Sequence, residues 1–151
     1  MSETDQPRMD ANEHEKKHWE LCHEIVGVFY SVYNELGNGF LEAVYEEALS
    51  IAFIEAGFTV ARQIPTPIWF RGKTIGHYKA DLIINGVVLI ELKAVEAIDK
   101  AHLAQILNYL RATEIEVGLI LNFGPKPQFK RFVFENSRKG IRVNSRAFAA
   151  K

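Results

Sequence analysis

Two acids and a lysine flank a turn near the middle of the chain. Asp81 precedes an Asn-Gly pair, and Glu91 and Lys93 follow it. Because Asn-Gly between two apolar runs is a strong hairpin signal, both segments are expected to be antiparallel strands. Side chains alternate between the two faces of a strand, which puts Glu91 and Lys93 on one face. A two-residue turn would pair Asp81 with Ile90, so a twist or bulge would have to bring the two carboxylates together.

The chemistry that this set predicts is metal-assisted hydrolysis at phosphorus. Two carboxylates at one point repel each other unless a cation joins them, and hard oxygen ligands suit Mg²⁺ or Mn²⁺. Such an ion lowers the pKa of a bound water and stabilises charge on a phosphoryl oxygen. Lys93 would orient that water. The alternative is an exposed Glu-Lys pair, but Glu91 and Lys93 end an apolar run, where charges are costly unless they serve a site.

A helix predicted over residues 98–112 carries a second polar group. His102, Gln105 and Tyr109 lie at i, i+3 and i+7, so they share a helix face beside the apolar stripe. Gln105 and Tyr109 are one turn apart and would reach the same phosphate or its attacking water. The alternative is the polar border of any amphipathic helix, which this pattern on its own favours.

Glu42 lies near the edge of the apolar arc of a second predicted helix, over residues 40–55. A partly buried carboxylate needs a cation or a hydrogen bond, so Glu42 is a candidate for a further metal ligand. The alternative is a solvated glutamate, as expected for its neighbours Glu46 and Glu47.

The elements that must position these residues follow the order ααβββαββ. This order predicts an α/β (α+β) domain with a central mixed sheet flanked by helices. The helices are predicted from hydrophobic spacing and the strands from alternation and turn signals. The helices span residues 15–36, 40–55 and 98–112, and the strands span residues 58–63 with 67–70, 74–84, 87–93, 117–122 and 130–134.

The bulk properties fit one globular domain. The chain has 151 residues, a net charge of −1 and a single cysteine, Cys22, which we interpret as a core residue. The absence of any disulfide pair favours a cytoplasmic location. No stretch has the roughly 20 consecutive apolar residues of a membrane span, so no membrane association is expected. Residues 126–151 contain eight basic residues and one acid. They predict either a phosphate-binding surface or a solvated tail.

The string Gly39-Phe40-Leu41-Glu42-Ala43-Val44-Tyr45 resembles the signature of the bacterial GxxExxY proteins. The resemblance spans about residues 25–134, and that family is placed in the PD-(D/E)xK nuclease superfamily. Gln105 and Tyr109 also resemble the Gln-x-x-x-Tyr motif of the branch that includes RecB-type and phage exonucleases. One departure is Ala80, where the superfamily motif nominally has proline.

The resemblance implies a restriction-endonuclease-like core. It also implies that Asp81, Glu91 and Glu42 bind the metal ion and that Lys93 assists the attacking water. We therefore expect a Mg²⁺- or Mn²⁺-dependent nuclease acting on DNA more than on RNA. The alternative is a non-catalytic nucleic-acid-binding or interaction module with the same fold.

The predicted division of the chain is an acidic lead-in over residues 1–16, the nuclease-like domain over 17–135 and a basic tail over 136–151. A homodimer or a partner subunit would supply the surface that a domain of this size lacks. The expected substrate-binding side chains combine the polar face of the third helix with basic residues of the strands: Gln105, Tyr109, His102, Lys79, Lys130 and Arg131.

Overall fold

Five strands form one mixed sheet in the order in which they occur along the chain. The computed structural model describes residues 16–139. Strands 3 and 4 run parallel, while every other neighbouring pair is antiparallel. The element order confirms the predicted ααβββαββ arrangement and the α+β class. The elements are α1 Trp19–Leu36, α2 Glu42–Glu55, β1 Val60–Phe70, β2 Lys73–Ile84, β3 Val88–Lys93, α3 Lys100–Ala112, β4 Val117–Phe123 and β5 Pro127–Val133, followed by a 3₁₀ turn, Asn136–Arg138.

The helices cover both faces of the sheet. Helices α1 and α2 pack on one face and share a core with alternate residues of β2, β3 and β4. Helix α3 packs on the other face, where Ile106 approaches Gly118 so closely that a Cβ there would lie 3.0 Å from Ile106 Cδ1. Residues 88–92 of β3 are therefore buried on both faces, as the apolar run in this strand requires.

Two strands differ in length from the prediction. β1 runs unbroken through Pro65 and Pro67, between the two predicted segments, where the prolines indicated either a bend or an edge strand. Because β1 is an edge strand, the missing N–H groups of the prolines are tolerated without a break in the strand. β5 begins at Pro127, also on an edge strand, where a loop up to residue 129 was expected.

The β2–β3 hairpin has a register one residue away from the predicted one. Ile84 pairs with Val88 instead of Val87, and Val87 N donates to Ile84 O at 3.0 Å. Asn85 is already bonded to the segment before β1, since its amide donates to Thr59 O and its side chain accepts from Thr59 N. The turn therefore needs a third residue. The last hydrogen-bonded pair is Leu82–Ile90, so Asp81 lies level with Glu91 instead of Ile90.

The side-chain alternation of β2 changes phase at Asp81. Leu82 packs beneath α1 and α2, whereas Ala80, two residues away, packs with the α3 cluster. The neighbouring strand has a matching irregularity, because Gln63, which lies level with Asp81, has a positive φ of 52°. The regular alternation of the paired strands β1 and β2 is thus interrupted at the level of Gln63 and Asp81. The candidate active site lies at this level.

The start of the predicted tail lies against the domain. Lys139 is buried, and its Nζ donates to Thr113 O at 2.7 Å and to Ile115 O at 2.8 Å. The rest of the tail and nearly all of the lead-in lie outside the described residues. Within residues 16–139, no helix combines the length and hydropathy that crossing a membrane requires.

Candidate active site

A fork between β2 and β3 forms the centre of the site. Backbone pairing ends at Leu82 and Ile90, and the strands separate beyond that pair. The next free amide of β3, Leu92 N, donates instead to Asp81 Oδ2 at 2.7 Å. The fork thus brings Asp81 and Glu91 level with each other without a backbone bond between them.

The carboxyl group of Glu91 is buried and lacks a full set of hydrogen-bond partners. Its residue is 8% exposed, and Oε2 has no hydrogen-bond partner among the described residues. The pKa of Glu91 is raised to about 7, mainly by burial, while the charge of Lys93 lowers it and that of Glu42 raises it. The predicted partners Glu42 and Lys93 both act electrostatically on this carboxylate.

The pKa of the Asp81 carboxyl group is also raised. Burial raises the pKa of Asp81, and the charge of Glu46 adds to the increase. The Leu92 amide, the Gln63 amide group and the Lys93 ammonium group lower that pKa without cancelling the increase. Two neighbouring acids with raised pKa values form a site that a cation would stabilise.

Helix α2 contributes two glutamates one turn apart, Glu42 and Glu46. Glu42 is exposed at the start of the helix, so its expected partial burial was wrong, but its charge acts on Glu91. The expectation that Glu46 is solvated was wrong. It is buried, and it accepts hydrogen bonds from Arg62 Nε at 3.1 Å and Gln63 Nε2 at 2.8 Å. Its i,i+4 spacing from Glu42 is the sequence signal that would have identified it.

Gln63 links Glu46 to Asp81. Its Nε2 lies 2.8 Å from Glu46 Oε1 and 3.4 Å from Asp81 Oδ1. The left-handed backbone of Gln63 is uncommon for a residue other than glycine, and such conformations concentrate at functional sites. Sequence analysis did not identify Gln63, because its role depends on the pairing of β1 with β2.

Lys93 is positioned through the segment that follows it. Asn122, which pairs with Lys93 across β3 and β4, is fully buried. Its side chain accepts from Val95 N and donates to Val95 O, both at 3.0 Å. Gly124 also packs there, since a Cβ at that position would lie 2.1 Å from Val95 O. These contacts hold the chain just beyond Lys93.

Helix α3 carries the Gln-x-x-x-Tyr pair on the face of the sheet that this helix covers. Gln105 Nε2 donates to Tyr109 Oη at 3.1 Å, and the Tyr109 ring stacks on Tyr78 of β2. His102 belongs to the helix cap: its amide donates to Asp99 Oδ1, and its Nδ1 accepts from Asp99 N. The pKa of Asp99 is lowered mainly by the His102 amide and slightly by Lys93, so the start of α3 lies near Lys93.

The three predicted basic contacts lie in different places. Lys79 is exposed on β2, two residues before Asp81. Lys130 is exposed on β5, two strands away from Glu91. Arg131 is not brought to the fork, because its guanidinium group bonds to Lys17 O and lies 5.3 Å from the centroid of the Trp19 ring, beside α1.

The sequence comparison identifies the family. Residues 19–132 match the PD-(D/E)XK nuclease superfamily. The chain belongs to that superfamily. No curated protein is similar enough in sequence to count as a match.

Solved structures of other proteins resemble the chain only partly. The protein SSO0001 has 20% identity and a TM-score of 0.48, with 72% of this chain and 57% of that one covered. An alkaline exonuclease (LHK-Exo) from Laribacter hongkongensis has 12% identity and a TM-score of 0.40, with 72% and 63% covered. The Archaeoglobus fulgidus Holliday junction resolvase Hjc has 16% identity and a TM-score of 0.37, with 68% and 98% covered. The chain thus spans less than two thirds of the first two proteins.

The donor set of this superfamily member fits a divalent cation in chemistry. PD-(D/E)XK nucleases generally use divalent metal ions. The acids here offer hard oxygen ligands, and the unpaired Oε2 of Glu91 belongs to a buried carboxyl group whose ionised form a cation would stabilise. Among residues 16–139, no three acids, histidines or cysteines are already close enough to form a complete metal site. The acids at the fork are therefore not arranged as a ready-made three-ligand metal site.

Proposed function

We propose that this protein is a metal-dependent nuclease that hydrolyses phosphodiester bonds in DNA more readily than in RNA. The observation that carries the proposal is the pair of acids at the fork, the buried Glu91 and the half-buried Asp81, which lie level with each other and leave one Glu91 oxygen unpaired. Membership of the PD-(D/E)XK superfamily supports nucleic acid as the substrate. The Gln-x-x-x-Tyr spacing, which resembles that of RecB-type exonucleases, favours DNA.

Each residue has a distinct proposed role. Asp81, Glu91 and Glu42 would hold Mg²⁺ or Mn²⁺. When bound, such an ion lowers the pKa of a water molecule and stabilises charge on a phosphoryl oxygen.

The remaining groups act directly on the reactants. The Lys93 ammonium group orients the attacking water and offsets negative charge that develops at phosphorus. Gln105 holds Tyr109 in place, and the Tyr109 hydroxyl group donates a hydrogen bond to a phosphate oxygen.

One observation favours a second candidate, a nucleic-acid-binding module without turnover. The described acids do not form a ready-made metal site, and a protein that only binds nucleic acid has no need of one. Metal binding and cleavage separate the two candidates.

The test is calorimetric titration of Mn²⁺ and Mg²⁺ into the wild-type protein and the Glu91→Ala variant, beside cleavage assays on single- and double-stranded DNA and RNA. We expect metal binding and cleavage by the wild type, with both lost in the variant. Metal binding without cleavage of any substrate would favour the binding module. A wild-type protein that binds no divalent ion would refute the catalytic proposal.

A further inference from the structure

The paired strands beyond the fork form a basic arm. Here "the ribbon" means residues 64–80, the part of β1, β2 and their connecting turn that lies beyond Gln63 and Asp81. The ribbon contains three basic residues, Arg71, Lys73 and Lys79, and no acid, in a chain whose net charge is −1. The neighbouring Arg62 is excluded, because Glu46 and Glu47 already pair with it.

Strand alternation directs the charges to one face. Lys73, Ile75, His77 and Lys79 are exposed, whereas Tyr78 and Ala80 between and beside them are buried towards α3. The exposed row begins two residues from Asp81, so it leads from the fork to the tip of the ribbon. Within the described part of the chain, neither Lys73 nor Lys79 forms an ion pair, which leaves both ammonium groups available for an anionic partner.

The tip adds an exposed aromatic surface. Arg71 and Gly72, with φ angles of 51° and 77°, form a tight turn that presents both neighbouring side chains. Phe70 is 54% exposed and Ile75 is 65% exposed. The guanidinium group of Arg71 lies 4.9 Å from the centroid of the Phe70 ring. A cation beside an exposed aromatic ring is the combination on which unpaired bases stack.

Charge and apolar exposure together indicate one kind of partner. A row of lysines suits a phosphate backbone, and exposed apolar side chains at the end of that row suit bases that are not already stacked in a duplex. We propose that the ribbon holds a single-stranded or frayed nucleic-acid end, with Lys73 and Lys79 on its phosphates and Phe70 and Ile75 against its bases. This inference rests on the proposed function, since it assigns the substrate-holding surface of that site.

The test is fluorescence anisotropy of a labelled single-stranded oligodeoxynucleotide and of the same sequence as a blunt duplex, in EDTA over a range of salt. The ribbon variant is Lys73→Gln/Lys79→Gln, and the matched control is Lys16→Gln/Lys126→Gln, which removes the same charge at two exposed lysines outside the ribbon. Wild type should bind the single strand more tightly than the duplex. The logarithm of the association constant falls as the logarithm of the salt concentration rises. The ribbon variant should make this slope shallower by about 1.4, while the control leaves the slope unchanged.

A second variant tests the tip. Phe70→Ala should weaken binding to the single strand by about 5- to 100-fold and leave the weaker binding to the duplex nearly unchanged. Since both residues of the Phe70–Arg71 contact lie on the surface, circular dichroism should show an intact fold.

The outcomes separate this inference from the nuclease proposal. If the control variant loses binding and the ribbon variant does not, the ribbon proposal is overturned even if wild type cleaves DNA. If wild type prefers the duplex, or binds no oligodeoxynucleotide, the proposal is also overturned. Binding through the ribbon by a protein that cleaves nothing would support the ribbon and refute the nuclease function.

Discussion

Asp81 Oδ2 accepts a hydrogen bond of 2.7 Å from the backbone amide of Leu92. This bond takes the place of the strand pairing that stops one residue earlier, at Leu82 and Ile90. One carboxylate thus keeps the amide satisfied while the strands separate, and its other oxygen stays near the fork, 3.4 Å from Gln63 Nε2. Asp81 therefore has a structural role and a proposed ligand role on different oxygens.

Two substitutions of Asp81 should separate those roles. Asp81→Asn keeps an oxygen that can accept from Leu92, so its unfolding free energy should stay close to that of wild type while metal affinity and cleavage are lost. Asp81→Ala leaves the amide without its partner and should also lose about 1–3 kcal/mol of stability. Urea denaturation beside calorimetric metal titration checks both. Equal stability of the two variants would contradict the structural role.

The buried Glu91 carboxyl should make the metal-free protein less stable at high pH. Its pKa is about 7 in the folded protein, against 4.5 for an ordinary glutamate, so the folded state holds the proton more tightly. Its contribution is fully present below about pH 4.5 and is lost as pH rises through 7. The loss should approach about 3 kcal/mol.

The check is thermal unfolding of wild type and Glu91→Gln in EDTA between pH 5 and 8, roughly the window in which the proton is lost. The variant mimics the protonated acid, so its Tm advantage should grow with pH. Adding Mn²⁺ at the upper end should raise the Tm of wild type and leave that of the variant unchanged. A pH-independent Tm difference would show that Glu91 does not titrate in this range.

Part of the candidate site could be predicted from the sequence, but its geometry could not. Asp81, Glu91 and Lys93 stand out because charges end an apolar strand, and that signal is local. The register that makes Asp81 level with Glu91 depends on Asn85 bonding to Thr59, which lies in the segment before β1. A hairpin signal read along one segment cannot include such a contact.

The same limit explains the missed and misplaced residues. Glu46 looks like any glutamate on a helix until β1 brings Arg62 and Gln63 against it. Arg131 looks like a phosphate contact until β5 pairs with β4 and turns it towards α1. Both outcomes are decided by tertiary packing.

Glu46 should support activity by positioning Asp81 through Gln63. Glu46→Gln weakens the bond to Gln63 Nε2, because one side-chain oxygen is replaced by an amide group, and cleavage should fall about 10- to 100-fold. Glu47→Gln is the matched control, since Glu47 also pairs with Arg62, at 3.0 Å, but does not bond to Gln63. Cleavage rates at several metal concentrations provide the measurement.

The metal dependence identifies how Glu46 acts. A positioning role predicts that excess Mn²⁺ recovers part of the lost activity of Glu46→Gln, while Glu47→Gln behaves as wild type throughout. Equal losses in the two variants would mean that only the ion pairs with Arg62 matter.

Gly124 should be required for the position of Lys93. Alanine there would place its Cβ 2.1 Å from Val95 O, a contact with rigid backbone that cannot be relieved by a side-chain rotation. Val95 is held by Asn122 and follows Lys93 by two residues, so the displacement should carry over to the ammonium group.

Gly124→Ala should lower stability by about 1–3 kcal/mol and reduce cleavage at a temperature where the variant is still folded. Gly27→Ala, in α1, is the control, since a Cβ at Gly27 meets no atom within 4 Å and its φ is not positive, so stability should not fall and cleavage should stay near wild type. If Gly124→Ala loses stability but cleaves at the wild-type rate, the segment after β3 does not position Lys93.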